Sequence, residues 1–273
     1  MFKNMRSFFS LLLIVIALSS CSEYQKVLKE TDIKAKYEMA ENLYNEKDYK
    51  RSNRLFAQIA PKYIGKPQGE RVLFFLGDTY YKIKDYNFSS YQFERFIKSY
   101  PKSDKAQEAS FLEAKSYYLL SPKYSRDQTD TDKALTKLQG FINIYPTSEF
   151  LPEANKMAQE LTATKEKKAF EIAKQFNKLG EFNYPLLVSS ITSLDNFILD
   201  NPGSKFKEEA LFVKMQATTS LALNSTEFRK KQRLQNAKDA YATLKKFFPQ
   251  TTFEKKANDL LEKIDKELQN YSK

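Results

Sequence analysis

Apolar side chains recur at helical spacing along most of this chain. Between residues 149 and 179 they fall mostly three or four positions apart, and the one proline, Pro152, stands where a first helical turn tolerates it. This stretch predicts one helix of about 30 residues, roughly 45 Å long. No segment alternates apolar and polar residues for long enough to suggest a strand, so the sequence predicts an all-α fold.

A repeat of 37 residues is superimposed on the helical spacing. Four sets of residues return in register: Tyr37, Phe74 and Phe111; Ala40, Gly77 and Ala114; Leu43, Tyr80 and Tyr117; and Tyr44, Tyr81 and Tyr118. Residues 73–86 show the unit best, with bulky apolar residues, a small residue, two tyrosines and a Lys-Asp-Tyr turn. This unit resembles the first helix of a tetratricopeptide repeat, in which the small residue marks a close approach of two helices.

Four prolines mark the ends of the second helices. Each is followed two positions later by a hydroxyl residue, in the pairs Pro101 and Ser103, Pro146 and Ser148, Pro202 and Ser204, and Pro249 and Thr251. Proline cannot continue a helix, and Ser or Thr just beyond it can cap the next one. The pattern therefore predicts alternating helices with a regular stop signal.

These signals together predict about five tetratricopeptide-like helix pairs in an α-solenoid. Repeats 1–3 are assigned to residues 32–147. The long connecting helix, repeats 4–5 and a capping helix are assigned to residues 148–271, and a polar insert is predicted at 121–131. The array is thus expected to have three-repeat and two-repeat halves joined by the long helix.

The amino terminus carries an export signal. Lys3 and Arg6 precede an apolar run at residues 8–18, which would rise only about 16 Å as a helix and is too short for a bilayer core of roughly 30 Å. The run ends in Leu-Ser-Ser-Cys, which resembles the lipobox of bacterial lipoproteins. That resemblance implies cleavage after residue 20, diacylglycerol on Cys21 and a lipidated tether at 21–31. The alternative is an ordinary secretory signal with an incidental cysteine.

The composition removes several classes of chemistry. The chain has no His and one Cys, which excludes Cys/His metal sites, Ser-His-Asp triads, Cys-His nucleophiles and an internal disulfide. We expect no catalytic site, no metal and no cofactor, although counting alone does not rule out a pair of carboxylates acting on glycans. The formal charge is +11, or +9 without residues 1–20. Because the chain is exported, anionic lipids or acidic protein faces are the expected partners rather than nucleic acid.

The first helices of such arrays line a concave surface that binds peptides. The side chains expected on it are Tyr37, Glu41, Tyr44, Phe74, Asp78, Tyr81, Lys82, Phe111, Lys115 and Tyr118. Tyrosine suits this use because it offers a rigid apolar face and a polar tip. The alternative is that these aromatics only fill the packing between repeats, which we prefer for Leu43, Tyr80 and Tyr117. A basic cluster at residues 229–233 is either a contact for an acidic partner or lipid, or a solvated helix start.

The lipobox, the repeats and the long helix together resemble the BamD family, the lipoproteins of the outer-membrane β-barrel assembly machine. The resemblance covers nearly the whole chain and is most specific in residues 77–103 and 141–204. It implies a non-enzymatic subunit anchored in the outer membrane and facing the periplasm. Such a subunit docks on the periplasmic domains of the barrel insertase through its carboxy-terminal repeats. Its amino-terminal repeats help to receive unfolded outer-membrane proteins.

Two other readings share some of these features. A generic repeat lipoprotein that organises cell-envelope complexes would share the repeats, but has no reason to keep the long helix between three and two units. A glycan-binding lipoprotein built on similar helices usually places Trp in its sugar site, and this chain has no Trp.

Overall fold

The computed structural model describes residues 23–271, and within them all regular secondary structure is helical. The helices are α1 (residues 23–29), α2 (Ile33–Asn45), α3 (Tyr49–Tyr63), α4 (Gly69–Lys82), α5 (Tyr86–Ser99), α6 (Ala106–Leu120), α7 (Thr129–Ile144), α8 (Leu151–Leu179), α9 (Pro185–Asp200), α10 (Lys207–Leu223), α11 (Glu227–Phe247) and α12 (Glu254–Gln269). Neighbouring helices pack as successive pairs, in the manner of tetratricopeptide repeats. The all-α prediction and the long helix are confirmed.

The chain forms two compact units, and the division between them lies inside α8. Unit 1 comprises residues 23–122 and 129–158, and unit 2 comprises residues 123–128 and 159–271. The predicted division at residue 147 is therefore too early. The start of α8 belongs to unit 1 because Phe150 stacks on Phe111 at 4.6 Å and Glu153 pairs with Lys115 at 2.8 Å.

The small residues of the repeat lie at close helix contacts, as predicted. Ala40, Gly77 and Ala114 are all buried, and a Cβ atom at Gly77 would lie 3.0 Å from the ring of Phe93. A buried serine on the second helix also donates to the backbone carbonyl of the small residue. Ser52 donates to Ala40 at 2.8 Å, and Ser89, 37 positions later, donates to Gly77 at 3.1 Å. The hydrogen bond fixes how the two helices of a repeat meet.

The hydroxyl residues after the four prolines all act at the predicted turns. Each accepts a hydrogen bond from the backbone N–H two residues later, at 3.0 to 3.2 Å, in Ser103, Ser148, Ser204 and Thr251. Three of these hydroxyls also donate to a glutamate on the preceding first helix: Ser103 to Glu70, Ser204 to Glu166 and Thr251 to Glu208. One residue therefore turns the chain and also ties it to its own repeat.

The predicted tether differs from the structure. Cys21 and the signal segment at 1–20 lie outside the described residues, but α1 begins at residue 23 and is helical rather than extended. Tyr24 is 3% exposed and belongs to the first core cluster, which includes Leu55, Phe56 and Ile59 of α3. Val27 and Leu28 pack against the same cluster. From residue 23 onwards, the segment predicted as a lipidated tether is therefore helical and packed on unit 1.

Helix α12, which the sequence predicted as a capping helix, packs against α10 and α11. Ala257 and Ile264 of this helix are fully buried against α10 and α11. Phe253, just before it, stacks on Phe212 at 4.4 Å.

Candidate functional site

The predicted peptide-binding residues of unit 1 lie on the first helices of three repeats, but two of them face the core. Phe74 is 8% exposed and packs on Phe93 and Phe96, while Phe111 is 3% exposed and packs on Phe141 and Phe150. The groove prediction is wrong for both residues. The two phenylalanine rings at this repeat position turn into the packing between helices.

Tyr37 and Glu41 form the first polar group on α2. The ring of Tyr37 lies half-buried against Phe56 and Tyr63, with ring centroids 6.4 and 5.8 Å away. Burial, together with the nearby Glu41 carboxylate, raises the pKa of Tyr37 to about 12. Glu41 also forms an ion pair with Arg71 on α4. This pair joins the first repeat to the second.

Tyr44 and Asp78 form the second link between these repeats. The Tyr44 hydroxyl donates to Asp78 Oδ2 at 2.6 Å, and the Tyr44 ring lies 4.6 Å from that of Phe75. Asp78 is 5% exposed, and Lys82 Nζ lies 4.0 Å from its other oxygen. Burial raises the pKa of Asp78, although the Tyr44 hydroxyl and Lys82 favour its charged form. Asp78 is therefore a partner of Tyr44 and is not free to meet a ligand.

Tyr81 and Lys115 repeat the same connection one unit later. Tyr81 is half-buried against Tyr86 and hydrogen-bonded to Lys115, whose ammonium lies 2.8 Å from Glu153 and 5.4 Å above the ring of Phe111. Burial alone lowers the pKa of Lys115, but the hydrogen bonds and charges of Glu153 and Tyr81 raise it above its ordinary value. The lysine is charged and held in place.

We call these residues the polar ladder: Tyr44, Asp78, Tyr81, Lys115 and Glu153. Tyr44 and Tyr81 are each hydrogen-bonded to the residue 34 positions later, which lies on the first helix of the next repeat. Tyr118 occupies the equivalent position in the third repeat and is likewise half-buried, while Lys82 is exposed. The ladder thus uses its hydroxyl and charged groups to join repeats.

Two substitutions in the polar ladder should differ in their effect on the free energy of unfolding. Tyr44→Phe removes the donor to a buried carboxylate and should lower the free energy of unfolding by about 1.5–3 kcal/mol. Because the pKa of Asp78 is raised by folding, its charge opposes the fold increasingly as the pH rises through that pKa. Asp78→Asn keeps an acceptor for the Tyr44 hydroxyl. Its free energy of unfolding should equal or exceed that of the wild-type protein at pH 7, and any excess should disappear at pH 3. Urea unfolding at pH 7 and at pH 3 measures these free energies. A large loss of stability in Asp78→Asn at pH 7 would contradict the prediction.

Unit 2 contains an open groove that the sequence did not predict. It has a volume of about 730 Å³, and among its lining residues are Tyr124, Lys168, Ile172, Lys174 and Val213. Lys167 lies 4.4 Å above the Tyr124 ring, and Lys168 donates to the backbone carbonyl of Arg126 at 2.7 Å. Ile172 is one of the helically spaced apolar residues between 149 and 179, and it is 44% exposed in this groove.

One end of unit 2 exposes two large apolar side chains. Phe182 lies between α8 and α9 and is 87% exposed, while Phe228 opens α11 and is 94% exposed. The hydroxyl of Tyr184 donates to Asn224 Oδ1 at 2.9 Å, which joins the α8–α9 turn to the α10–α11 turn. We call this surface the aromatic end of unit 2. Such exposed side chains are typical of protein interfaces.

The basic cluster at residues 229–233 lies at the same end but is only partly available. Lys230 pairs with Glu267 at 2.7 Å and Arg233 donates to Ser225 at 2.6 Å. Arg229 and Lys231 are exposed. The aromatic end therefore combines apolar side chains with a positive charge.

Two features are absent from the described part of the chain. Residues 23–271 contain no group of three or more His, Cys, Asp or Glu side chains arranged to hold a metal ion. Over the same residues, none of the helices has both the length and the apolar character to cross a membrane.

Comparison with known proteins gives a consistent answer. Residues 29–183, more than half of the chain, match the family model described as YfiO, outer membrane lipoprotein. Outer membrane protein assembly factor BamD of Helicobacter pylori is 27% identical over 129 residues, which cover 47% of this chain and 53% of that protein. Thus the match spans about half the length of that relative. The protein of the same name from Caulobacter vibrioides is 21% identical over 216 residues, covering 78% of this chain and 69% of that protein.

Proposed function

Because the chain belongs to the YfiO family of outer membrane lipoproteins, we propose that it is a periplasm-facing subunit of the machinery that assembles outer-membrane β-barrels. The single observation that carries this is the family match, which covers the first three repeats and the long helix α8. Both relatives described above are named outer membrane protein assembly factors. The successive helix pairs support the proposal, because repeat arrays present extended surfaces for binding other proteins.

The proposed role is binding without catalysis. The chain has no His, and its ladder carboxylate Asp78 is already paired with Tyr44. We propose that one surface of the molecule holds the insertase and another receives unfolded outer-membrane proteins. The two surfaces are assigned to different units of the chain.

The aromatic end of unit 2 is our candidate for the insertase contact. Phe182 and Phe228 offer apolar anchors, and Arg229 and Lys231 favour an acidic surface beside them. A few aromatic side chains commonly supply most of the binding free energy of an interface. The proposed partner is a folded periplasmic domain of the insertase with apolar pockets and neighbouring carboxylates.

The ring faces of Tyr44, Tyr81 and Tyr118 are our candidate for contacts with unfolded substrates. They recur on three successive first helices of unit 1 and are half-buried, with the hydroxyls of the first two held by hydrogen bonds. Rigid aromatic faces bind apolar side chains at little entropic cost. A segment rich in aromatic residues, as at the ends of outer-membrane strands, fits this surface.

Substitution of the two exposed phenylalanines tests the insertase contact. Phe182→Ser with Phe228→Ser should reduce the insertase that co-purifies from detergent-solubilised envelopes by at least tenfold, because hot-spot side chains contribute about 2 kcal/mol or more. The control is Leu199→Ser, which alters an apolar residue that is 78% exposed at the opposite end of α9.

The co-purified proteins decide between the readings. Loss of insertase in the double variant but not in the control supports the proposal. If wild-type protein recovers other envelope proteins and no insertase, the generic scaffold reading replaces it.

A further inference from the structure

Helix α1 fixes the place where the chain enters unit 1. Tyr24 is buried beside the start of α3, with the Arg51 guanidinium 5.5 Å from its ring centroid. Four residues later, the Leu28 carbonyl accepts a hydrogen bond from Lys36 Nζ at 3.2 Å, near the start of α2. The chain therefore enters unit 1 at the end of the repeat that carries the α2–α3 turn.

The proposed acyl group is close to this point along the chain. Cys21 precedes Tyr24 by three residues, and an extended chain spans at most about 3.6 Å per residue. The Cα atoms of Cys21 and Tyr24 are thus within about 11 Å of each other. Because an acylated cysteine sits at the membrane surface, the α2–α3 turn must lie near the lipid headgroups.

That turn and the next one along the array present lysines in an unusual backbone conformation. Lys47 in the α2–α3 turn and Lys84 in the α4–α5 turn have φ angles of 64° and 65°. They are 37 positions apart, so they are the same position of the repeat. Glycine or asparagine is the common choice for this left-handed conformation. Each of these two repeats has a lysine in this strained conformation, which places a cation at the tip of each turn.

The two turns lie at the same end of unit 1. Helices α2 and α4 both end there, and Tyr44, near the end of α2, is bonded to Asp78, near the end of α4. Lys47, Lys50 and Lys84 are exposed, and their ammonium groups form no ion pair with any residue in 23–271. We call this surface the lysine end of unit 1.

Two of the four acidic groups at this end, Asp48 and Asp85, are engaged within the fold. Asp48 pairs with Arg51 at 2.6 Å and caps α3, and Asp85 caps α5 by accepting from the Phe88 backbone N–H. Glu23 and Glu46 are exposed. Beside Lys84, the side chain of Phe88 is 54% exposed and stacks on Tyr80 at 5.3 Å. Exposed cations next to an exposed aromatic ring are typical of surfaces that lie on anionic membranes.

We propose that the lysine end of unit 1, with Lys47, Lys50, Lys84 and Phe88, binds the anionic phospholipid headgroups of the membrane that holds the acyl anchor. The contact fixes the orientation of unit 1 on the bilayer, which an anchor alone leaves free. The inference rests on the proposed function, since it needs an outer membrane lipoprotein that is acylated at Cys21, as the lipobox resemblance implies. The mass of the purified chain checks that acylation separately.

Two fluorescent probes on one helix test the orientation. Cys21 is the only cysteine, and acylation would block its sulfur, so a single introduced cysteine can be labelled specifically. Asn87→Cys labels the start of α5 at the lysine end, and Ser99→Cys labels the last residue of the same helix, about 18 Å away. The acylated protein is reconstituted into phosphatidylcholine vesicles with or without phosphatidylglycerol, both containing a lipid-borne quencher.

In vesicles with phosphatidylglycerol, the Asn87→Cys probe should be quenched several-fold more than the Ser99→Cys probe. Replacing the three lysines with Lys47→Asn, Lys50→Gln and Lys84→Asn should remove most of this difference, since each lysine near an anionic surface strengthens binding roughly fivefold. Asparagine keeps the left-handed turns. The control variant carries Lys62→Gln, Lys66→Gln and Lys102→Gln at the opposite end, with the same change in charge, and should keep the difference.

Each other outcome overturns the proposal. Equal quenching of the two probes means that unit 1 has no fixed orientation. An equal effect of the two triple variants, or an equal difference in vesicles without phosphatidylglycerol, means that the lysine end does not recognise anionic lipid. Insertase co-purification from the same variants is a separate measurement and reports on the proposed function alone.

Discussion

Gly77→Leu should lower the free energy of unfolding by about 3 kcal/mol. A Cβ atom added at this position would lie 3.0 Å from the ring of Phe93, which is fully buried. The remaining atoms of a leucine side chain would have no space. Overpacking of this kind costs roughly 1–3 kcal/mol. The helix must also shift against Ser89, whose hydroxyl donates to the Gly77 carbonyl, which adds about 1 kcal/mol. The better helix propensity of leucine offsets less than 1 kcal/mol of this.

Urea unfolding measures the loss, and Lys82→Leu is the control on the same helix. Lys82 is exposed, and its nearest carboxylate oxygen, on Asp78, is 4.0 Å away, so that ion pair contributes less than about 1 kcal/mol. Gly77→Ala should fall between the two. If Gly77→Leu and Lys82→Leu unfold at the same urea concentration, the close contact assigned to Gly77 is wrong.

The local signals of the sequence predicted the fold well because each has a strong physical cause. A proline after the first turn removes a backbone hydrogen bond and ends a helix at or near its position, and a hydroxyl two positions later has a backbone N–H within reach. Ser103, Ser148, Ser204 and Thr251 all make that contact. The 37-residue register likewise follows from the small residues, because a close helix contact admits nothing larger.

The candidate site was predicted less well because periodicity places a residue on a face but does not give its partners. Tyr37, Phe74 and Phe111 share one repeat position, yet the first is half-buried and the other two are in the core. The hydrogen bond from Tyr44 to Asp78 depends on the separation of two repeats, which no local pattern reports. A polar ladder inside the array and a ligand groove on it have the same sequence signature.

Helix α1 was missed although its signal was present. Tyr24, Val27 and Leu28 have the spacing of one helix face, and all three pack on the first core cluster. A segment of seven residues is too short to be helical by itself, so only its packing on α2 and α3 stabilises it. The division of α8 between the two units was hidden for a related reason, since the helical pattern continues without a break through residue 158.

Cys21→Ser should move the protein from the membrane fraction to the soluble periplasmic fraction. Each methylene buried in a bilayer contributes about 0.8 kcal/mol, so acyl chains of ordinary length dominate any other attachment. Wild-type protein should resist a high-salt wash and need detergent for release. The variant should keep at most a weak association through Lys47, Lys50 and Lys84, which a high-salt wash removes because salt screens surface charges.

Ser22→Ala is the matched control, since it alters the next residue and keeps the cysteine and the residues before it. It should remain acylated, which the mass of the purified chain shows, and stay in the membrane fraction. If the Cys21→Ser protein remains membrane-bound after the high-salt wash, the Cys21 sulfur is not what anchors the protein. The lysine end then has no anchor beside it, and the orientation proposed for unit 1 fails together with the lipobox.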